Sequence, residues 1–496
     1  MNWQINMMLF DFNIQVRQRN GRFGGSSKVM QTNASKVMRT IIIVFLLLTL
    51  CCASKAQIIA THLILDLQAD TGVTVNENGC VTNWLDVHSL LNNDSLTNNA
   101  TQPTNVYAPL LVKDCLGRNA VYFQGNTLTL TLYATNVMWV SSNLTAHSKT
   151  CSVYAVCSGP IRRTAATICA WTNWPYVILG YGESPAISYG SPLVMLGPLV
   201  YGTSVFPAAN PGIFYTCGSS TNFTYGWNGI EEYKGSALPA SNLSGLTIGD
   251  ISASASTTRW DGYLYRLLIY RAAHTSAERA QITAALVSRH NILTNYSKLA
   301  VCTGDSTVEG VGVSSVKCFS WDLAERVPEI AIYNYGVGSR YIQTNGASGN
   351  VMYGQDSTKI DPLFNSSLKR NWEIVQAGIN DINSGGLSGQ NTYGRMTNYC
   401  AQRLAAHPWE IAVCTLASHS STGENTNYND ALRTQTQNWT RLVDYGYGSK
   451  PADMRLWDTS GSCYYDAVHQ NDAGHAAVAQ HILPVLNTHR RVAGFM

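Results

Sequence analysis

From about Leu299 onward, short apolar runs alternate with helix-compatible stretches, and this alternation leaves few folds open. The candidate strands are LAVCT (299–303), IAIYNY (330–335), EIVQA (373–377), IAVCTL (411–416) and MRLW (454–457). Between the third and fourth, Tyr393, Met396, Cys400 and Leu404 recur at three- and four-residue steps, the spacing of one helix face. Strands that alternate with helices imply a parallel sheet covered on both faces, an α/β/α three-layer domain. Ligands of such folds bind beyond the carboxyl ends of the strands. The expected domain spans 299–487, with 488–496 as a tail.

The preceding stretch, 57 to about 293, follows another pattern. TLTLTLYA (127–134), CSVYAVCSG (151–159), PYVILGYG (175–182) and GIFYTCGSS (212–220) are short Thr-, Val- and Tyr-rich runs bounded by turn residues. Helical periodicity is nearly absent, which argues for an antiparallel β-sandwich. This part closes on one strand near 262–270 and one helix. Thr275 and Glu278 have the spacing of a capping box for that helix, and Ile282, Ala285 and Leu286 form its apolar face. At 496 residues the chain has room for several domains, each with its own core.

Charge is unevenly spread. Residues 1–56 carry seven of the 33 basic residues and one of the 30 acidic ones, so the remaining 26 and 29 give a net charge of −3. No basic run interleaves with aromatics, so nucleic acid is not an expected partner. Met38-Arg39-Thr40 precedes the apolar run IIIVFLLLTLCCA, and small residues at 54 and 56 fit signal-peptide cleavage after Ala56. The run is short for a span, so a membrane anchor is the weaker reading, and a lipoprotein site at Cys51 or Cys52 is weaker still. The expectation for 1–56 is an N-terminal extension plus signal peptide. The mature chain is then secreted, extracellular or periplasmic, with no stable membrane span.

Export permits disulfides, and eleven cysteines follow the leader. Cys157, Cys169, Cys217, Cys302 and Cys414 lie inside strand-like runs, where a buried thiol is the simpler expectation; Cys80–Cys115 is a candidate bridge. No cysteine or histidine cluster has zinc-site spacing, so neither metal nor cofactor is expected. The sequons at Asn143 and Asn222 are no more than chance supplies in an Asn- and Thr-rich chain.

Four stretches follow the candidate strand ends: Gly304-Asp305-Ser306, Asn334-Tyr335-Gly336-Val337-Gly338-Ser339, Gly378-Ile379-Asn380-Asp381, and Asp466-Ala467-Val468-His469. Taken in order they resemble the four blocks of the GDSL esterases and lipases, the SGNH hydrolases, across 299–487. The resemblance implies a flavodoxin-like fold and a serine esterase working through an acyl-Ser306 intermediate. His469 would be the general base, and Asp466, three residues earlier, would hold the other imidazole nitrogen. It further implies an oxyanion hole made by the backbone N–H of Ser306, a backbone N–H of the Gly336–Ser339 loop, and the Asn380 amide. The family usually has glycine where Ser339 stands; the donor is then Ser339, or Gly338 if the register slips by one.

The rival base His475 follows Gly474 at a helix start, where a structural or capping role is the simpler reading. Asp305 is read as bracing the Ser306 turn, Asp381 as fixing the Asn380 loop, and His419 as a solvated loop residue. The Gly/Ser/Asn-rich segments 339–357 and 383–391 would frame the mouth. They hold no extended apolar lid, which disfavours long acyl chains.

The first half resembles concanavalin A/laminin G-like jelly rolls, on LILDLQADTGVTV, VTNWLDVHS and the closing strand and helix. Members of that family often bind glycans, so Trp171, Trp174, Trp227 and Trp260 are either sugar platforms or core residues. The architecture points to O-acetyl esters on carbohydrate as substrate. A lipase or lysophospholipase of the same family is the alternative enzyme, and a non-catalytic glycan-binding or adhesion protein is the alternative class.

Overall fold

The computed structural model describes residues 58–88, 98–102, 108–114, 116–123, 138–146, 151–159, 166–171, 177–182, 191–194, 200–201, 210–218, 223–235, 243–248, 260, 262–313, 318–343, 350–417, 423–435, 441–448, 456 and 462–487. The leader with its cleavage point, the strand expected at 127–134, Cys115, Trp174, Asn222, His419 and the tail 488–496 lie outside the described residues. So do the side chains of Asn143, Cys169 and Trp171.

Described strands fall into three sheets. One is antiparallel and runs, edge to edge, through Ile230–Gly235, Phe223–Trp227, Gly212–Gly218, Cys151–Ser158, Gly262–Tyr270, Asn119–Phe123 and Leu110–Lys113. Leu63–Gln68 also pairs with Gly262–Tyr270. A second antiparallel sheet includes Val73–Val75, Val81–Trp84, Met138–Ala146, Ala166–Trp171 and Leu243–Ile248. The inner core between the two contains Val153, Ala155, Phe214, Leu267 and Ile269 from the first sheet and Val81, Trp84 and Ala100 from the second. Trp227 and Trp260 belong to this core. Trp227 lies 4.3 Å from the Phe214 ring, and a Cβ on Gly159 would fall 2.2 Å from the Trp260 ring. Neither tryptophan is a sugar platform; both are filling material.

The other face of the first sheet is buried too. Tyr154, Val156, Tyr215, Tyr263 and Tyr265 share a second core with helix α1 (Ser276–His290) and with the residues that follow it. Thr275 and Glu278 form the capping box at the start of α1, and Ile282 and Leu286 pack inward. Burial on both faces is why Cys151–Ser158 and Gly262–Tyr270 are apolar at successive positions rather than alternate ones.

The third sheet is parallel. Its elements in chain order are β1 (Lys298–Gly304), α2 (Ser306–Glu309), α3 (Phe319–Arg326), β2 (Ile330–Gly336), α4 (Gln355–Lys359), β3 (Arg370–Gln376), α5 (Ile379–Asn383), α6 (Gly389–Ala406), β4 (Glu410–Cys414), α7 (Gly423–Thr434), β5 (Arg441–Val443) and α8 (Asp472–Asn487). The strand order is β2-β1-β3-β4-β5. One face carries Ala300, Cys302, Ile332 and Ile374 against α3 and α8. The opposite face carries Val301, Ala331, Val375 and Val413 against α6 and α7. The fold is thus an antiparallel sandwich followed by a three-layer α/β/α part, as the alternation implied.

The fifth strand corrects the sequence reading. It is Arg441–Val443, not 454–457; Leu456, the described residue of that run, is buried and helical. A three-residue edge strand has too little pattern to stand out, whereas MRLW imitates one.

The two parts share a core. The face that holds Tyr263 and Tyr265 continues into Phe319, Trp321 and the parallel sheet. Tyr263 meets Trp321 edge-on at 5.2 Å and donates to Glu325 at 3.0 Å. Asn210 closes the edge of β2: its amide donates to the Ile330 carbonyl and accepts from Ile332 N–H, both at 3.0 Å. The side chain supplies at these two groups what a neighbouring strand would.

Candidate active site

Order β2-β1-β3 means that the chain leaves β1 toward one side and later returns to the other. Ser306 and Asn380 follow the two strands that flank this reversal, the position where parallel sheets open a crevice. Close packing forces glycines there. A Cβ on Gly304 would lie 1.9 Å from the Gln376 carbonyl oxygen, and one on Gly336 would lie 2.0 Å from Glu309 N. The short helix α2 therefore sits directly on the end of β2.

Asp305 caps α2 by accepting from Thr307 N at 3.0 Å and Thr307 Oγ1 at 2.7 Å. Full burial pushes its carboxyl pKa up to about 6, against the lowering effect of those bonds. Asp305 makes these bonds to its own turn, so it braces Ser306.

His469 and Asp466 come from a loop tied on both sides. Tyr465 N donates to His469 O, and Asn471 N donates to Cys463 O. Asp466 Oδ1 accepts from Val468 N and His469 N, both at 2.7 Å, which folds the loop so that its other oxygen meets His469 Nδ1 at 2.7 Å. His469 Nε2 lies 2.9 Å from Ser306 Oγ. A Cβ on Gly312 would be 2.6 Å from the Gln470 carbonyl oxygen, so the segment after Ser306 packs against this loop. Partial burial raises the Asp466 pKa, but the hydrogen bonds from His469 and Val468 outweigh it and hold the carboxyl below its usual value. Asp466 therefore faces the imidazole as a carboxylate.

Asn334 braces the second block by donating to Val308 O at 2.8 Å and Ser320 Oγ at 2.9 Å and accepting from Gly336 N at 2.8 Å. Val337, next in the loop, joins the inner core of the sandwich. Gly338 and Ser339 then turn. Ser339 has φ +57°, the left-handed region, which costs a residue with a Cβ about 1–2 kcal/mol. The serine thus occupies a conformation that glycine adopts freely. Asn380 donates from Nδ2 to the Arg340 carbonyl at 3.1 Å, which joins the second block to the third. Asp381 is buried and accepts from Ile342 N and Arg395 Nη1, both at 2.9 Å.

His475 stays apart from this constellation. It is buried in α8, accepts from Phe319 N at 3.2 Å and stacks on the Phe319 ring. Arg340 and Asp356, which are ion-paired, were not singled out in the sequence; both lie in the segment 339–357, read there only as framing the mouth. Among the described residues no cluster of histidine, cysteine or carboxylates has the form of a metal site, and no helix is long and apolar enough to cross a membrane.

Fold and site together define a two-part chain in which an antiparallel sandwich abuts a parallel α/β/α sheet bearing a serine–histidine–aspartate relay at its carboxyl edge. No protein-family model matches the chain, and no curated protein does. Partial likenesses exist among solved structures. Domain 4 of AbnA, an extracellular arabinanase from Geobacillus stearothermophilus solved with arabinotriose, is 12% identical with a TM-score of 0.32, over 45% of this chain and 98% of that one. A member of the lipolytic protein G-D-S-L family from Veillonella parvula is 17% identical with a TM-score of 0.31, over 39% of this chain and 100% of that one. A Trypanosoma rangeli sialidase is 14% identical with a TM-score of 0.30, over 47% of this chain and 34% of that one.

Proposed function

We propose that this chain is an exported serine esterase acting on small acyl esters, with O-acetyl groups on carbohydrate as the substrate class. The relay carries the reading: Ser306 Oγ, His469 and Asp466 are linked in line at 2.9 and 2.7 Å. In this mechanism His469 Nε2 takes the hydroxyl proton as Ser306 Oγ attacks the acyl carbonyl. Asp466 keeps the proton on Nδ1 and offsets the imidazolium charge. The N–H of Ser306, a backbone N–H of Gly338 or Ser339, and Asn380 Nδ2 stabilise the oxyanion. His469 then protonates the departing alcohol, and water, activated by the same base, releases the acid and restores Ser306.

The carbohydrate assignment is supported by the sandwich beside the hydrolase sheet. An exposed tyrosine, Tyr465 next to Asp466, supports it as well, since its ring face suits the C–H surface of a sugar ring. Export rests on the leader ending at Ala56. The test is hydrolysis of p-nitrophenyl acetate with Ser306→Ala alongside, followed by acetate release from a panel of acetylated polysaccharides. Activity that survives Ser306→Ala removes Ser306 as nucleophile. Preference for octanoyl over acetyl esters favours a lipase.

A further inference from the structure

Arg340 lies immediately after the Gly338–Ser339 turn, and its contacts reach the end of β1 and the second and third blocks of the site. The side chain is 1% exposed and ion-paired with Asp356, which is fully buried. Its Nη1 donates to Thr303 Oγ1 and to the Tyr335 carbonyl, both at 3.4 Å, and its Nη2 to the Val351 carbonyl at 3.4 Å as well as to Asp356. Thr303 stands three residues before Ser306 on β1; Tyr335 is in the second block; Val351 belongs to the segment expected at the mouth. The Arg340 carbonyl receives Asn380 Nδ2. Asp356 is itself fixed by Thr303 Oγ1 at 3.1 Å and Tyr399 Oη at 2.7 Å. Between Arg340 and Val337, which the sandwich core holds, Ser339 sits in its left-handed conformation.

We infer that Arg340 is the positioning residue of the oxyanion hole: locked on Asp356, it holds Ser339 in the left-handed turn and aims the Asn380 amide through its own carbonyl. The inference rests on the esterase reading above. Its chemistry is that of a rigid planar fork. A guanidinium engages several acceptors at fixed angles, which a lysine ammonium on a flexible stem does not reproduce. A donor displaced from the developing oxyanion lowers kcat while leaving ground-state binding nearly intact.

The experiment uses the full chain with p-nitrophenyl acetate. Arg340→Lys keeps a charge for Asp356 and is expected to lower kcat by about tenfold to a hundredfold with KM within about threefold. Ser339→Gly alone is measured as the reference, and its own effect on kcat, of either sign, is divided out of the double variant. Placed in the Arg340→Lys background, Ser339→Gly should recover at least about fivefold in kcat, because a turn that costs glycine nothing needs less holding. A general loss of stability has no reason to be repaired at position 339, and thermal melting followed alongside separates the two effects. Should Arg340→Lys fail to fold, Asp356→Asn makes the same comparison. An Arg340→Lys enzyme with wild-type kcat, or a double variant no better than Arg340→Lys, overturns the inference. A wild-type chain that hydrolyses no ester overturns the esterase reading and this inference with it, whereas the former two results leave that reading standing.

Discussion

Asp305 offers the sharpest thermodynamic test of the site. Burial moves its carboxyl pKa from an ordinary 3.8 to about 6, so between those values the folded chain binds a proton that the unfolded chain has lost. The sign follows directly: a neutral Asp305 stabilises the fold below the unfolded value, and this stabilisation is lost as pH rises through about 6. At about 1.4 kcal/mol per pH unit, the full displacement corresponds to about 3 kcal/mol. Linkage gives about 1 kcal/mol of it between pH 8 and pH 5, and about 2 kcal/mol between pH 8 and pH 4. Asp305→Asn removes the titration while leaving an oxygen to accept from Thr307. The new amide N–H sits where Oδ2 has no hydrogen-bond partner, so the variant carries a cost of about 1–3 kcal/mol at every pH. That constant cancels when wild type and variant are compared across pH. Urea unfolding at pH 8, 5 and 4 should therefore show the wild type gaining about 1 and then about 2 kcal/mol over Asp305→Asn as pH falls. Parallel stability curves, or a gain with rising pH, would refute the claim that Asp305 is buried against its charge.

Two further expectations concern the relay and the edge of the sheet. Asp466→Asn keeps an oxygen for the Val468 and His469 N–H groups but turns an N–H toward His469 Nδ1, which favours the tautomer unable to take a proton from Ser306. A buried triad loses about 10⁴-fold by this change; the Asp466 side chain is 44% exposed, so a loss in kcat of about a hundredfold is expected on p-nitrophenyl acetate. Wild-type kcat would exclude Asp466 from the relay. Asn210→Ala strips partners from the buried Ile330 carbonyl and Ile332 N–H and should cost about 2–4 kcal/mol, read from the urea midpoint. A cost below about 0.5 kcal/mol, the scatter of ordinary surface substitutions, would show that the edge is satisfied otherwise.

What was legible in the sequence was local. Strands β1 to β4 are buried on both faces, so each carries a short apolar run, broken in β3 by the buried Glu373, and Thr275 with Glu278 announces α1 through three-residue spacing. Strand β5 was lost because three residues at an edge carry almost no pattern. The missed contacts are long-range. Asn210 precedes Ile330 by 120 residues, in a stretch of Ala, Asn, Pro and Gly that reads as a plain turn. Arg340 and Asp356 are 16 residues apart, and nothing in their local sequence shows that they pair. The tryptophans could not be decided locally, because a ring suited to sugar and a ring suited to filling a sandwich have the same local sequence; core was the simpler reading, and Trp227 and Trp260 bear it out. Ser339 lies between these cases. Its departure from the expected glycine was visible, but the left-handed backbone that makes the departure matter required coordinates.

Ser306 and His469 stand 163 residues apart, and their contact depends on a loop anchored at the start of α8. A ribosome therefore makes the serine long before the histidine that would activate it. Throughout that interval the nascent chain carries only an ordinary hydroxyl. On the proposed mechanism, reactivity waits for the loop before α8 to bring His469 to Ser306.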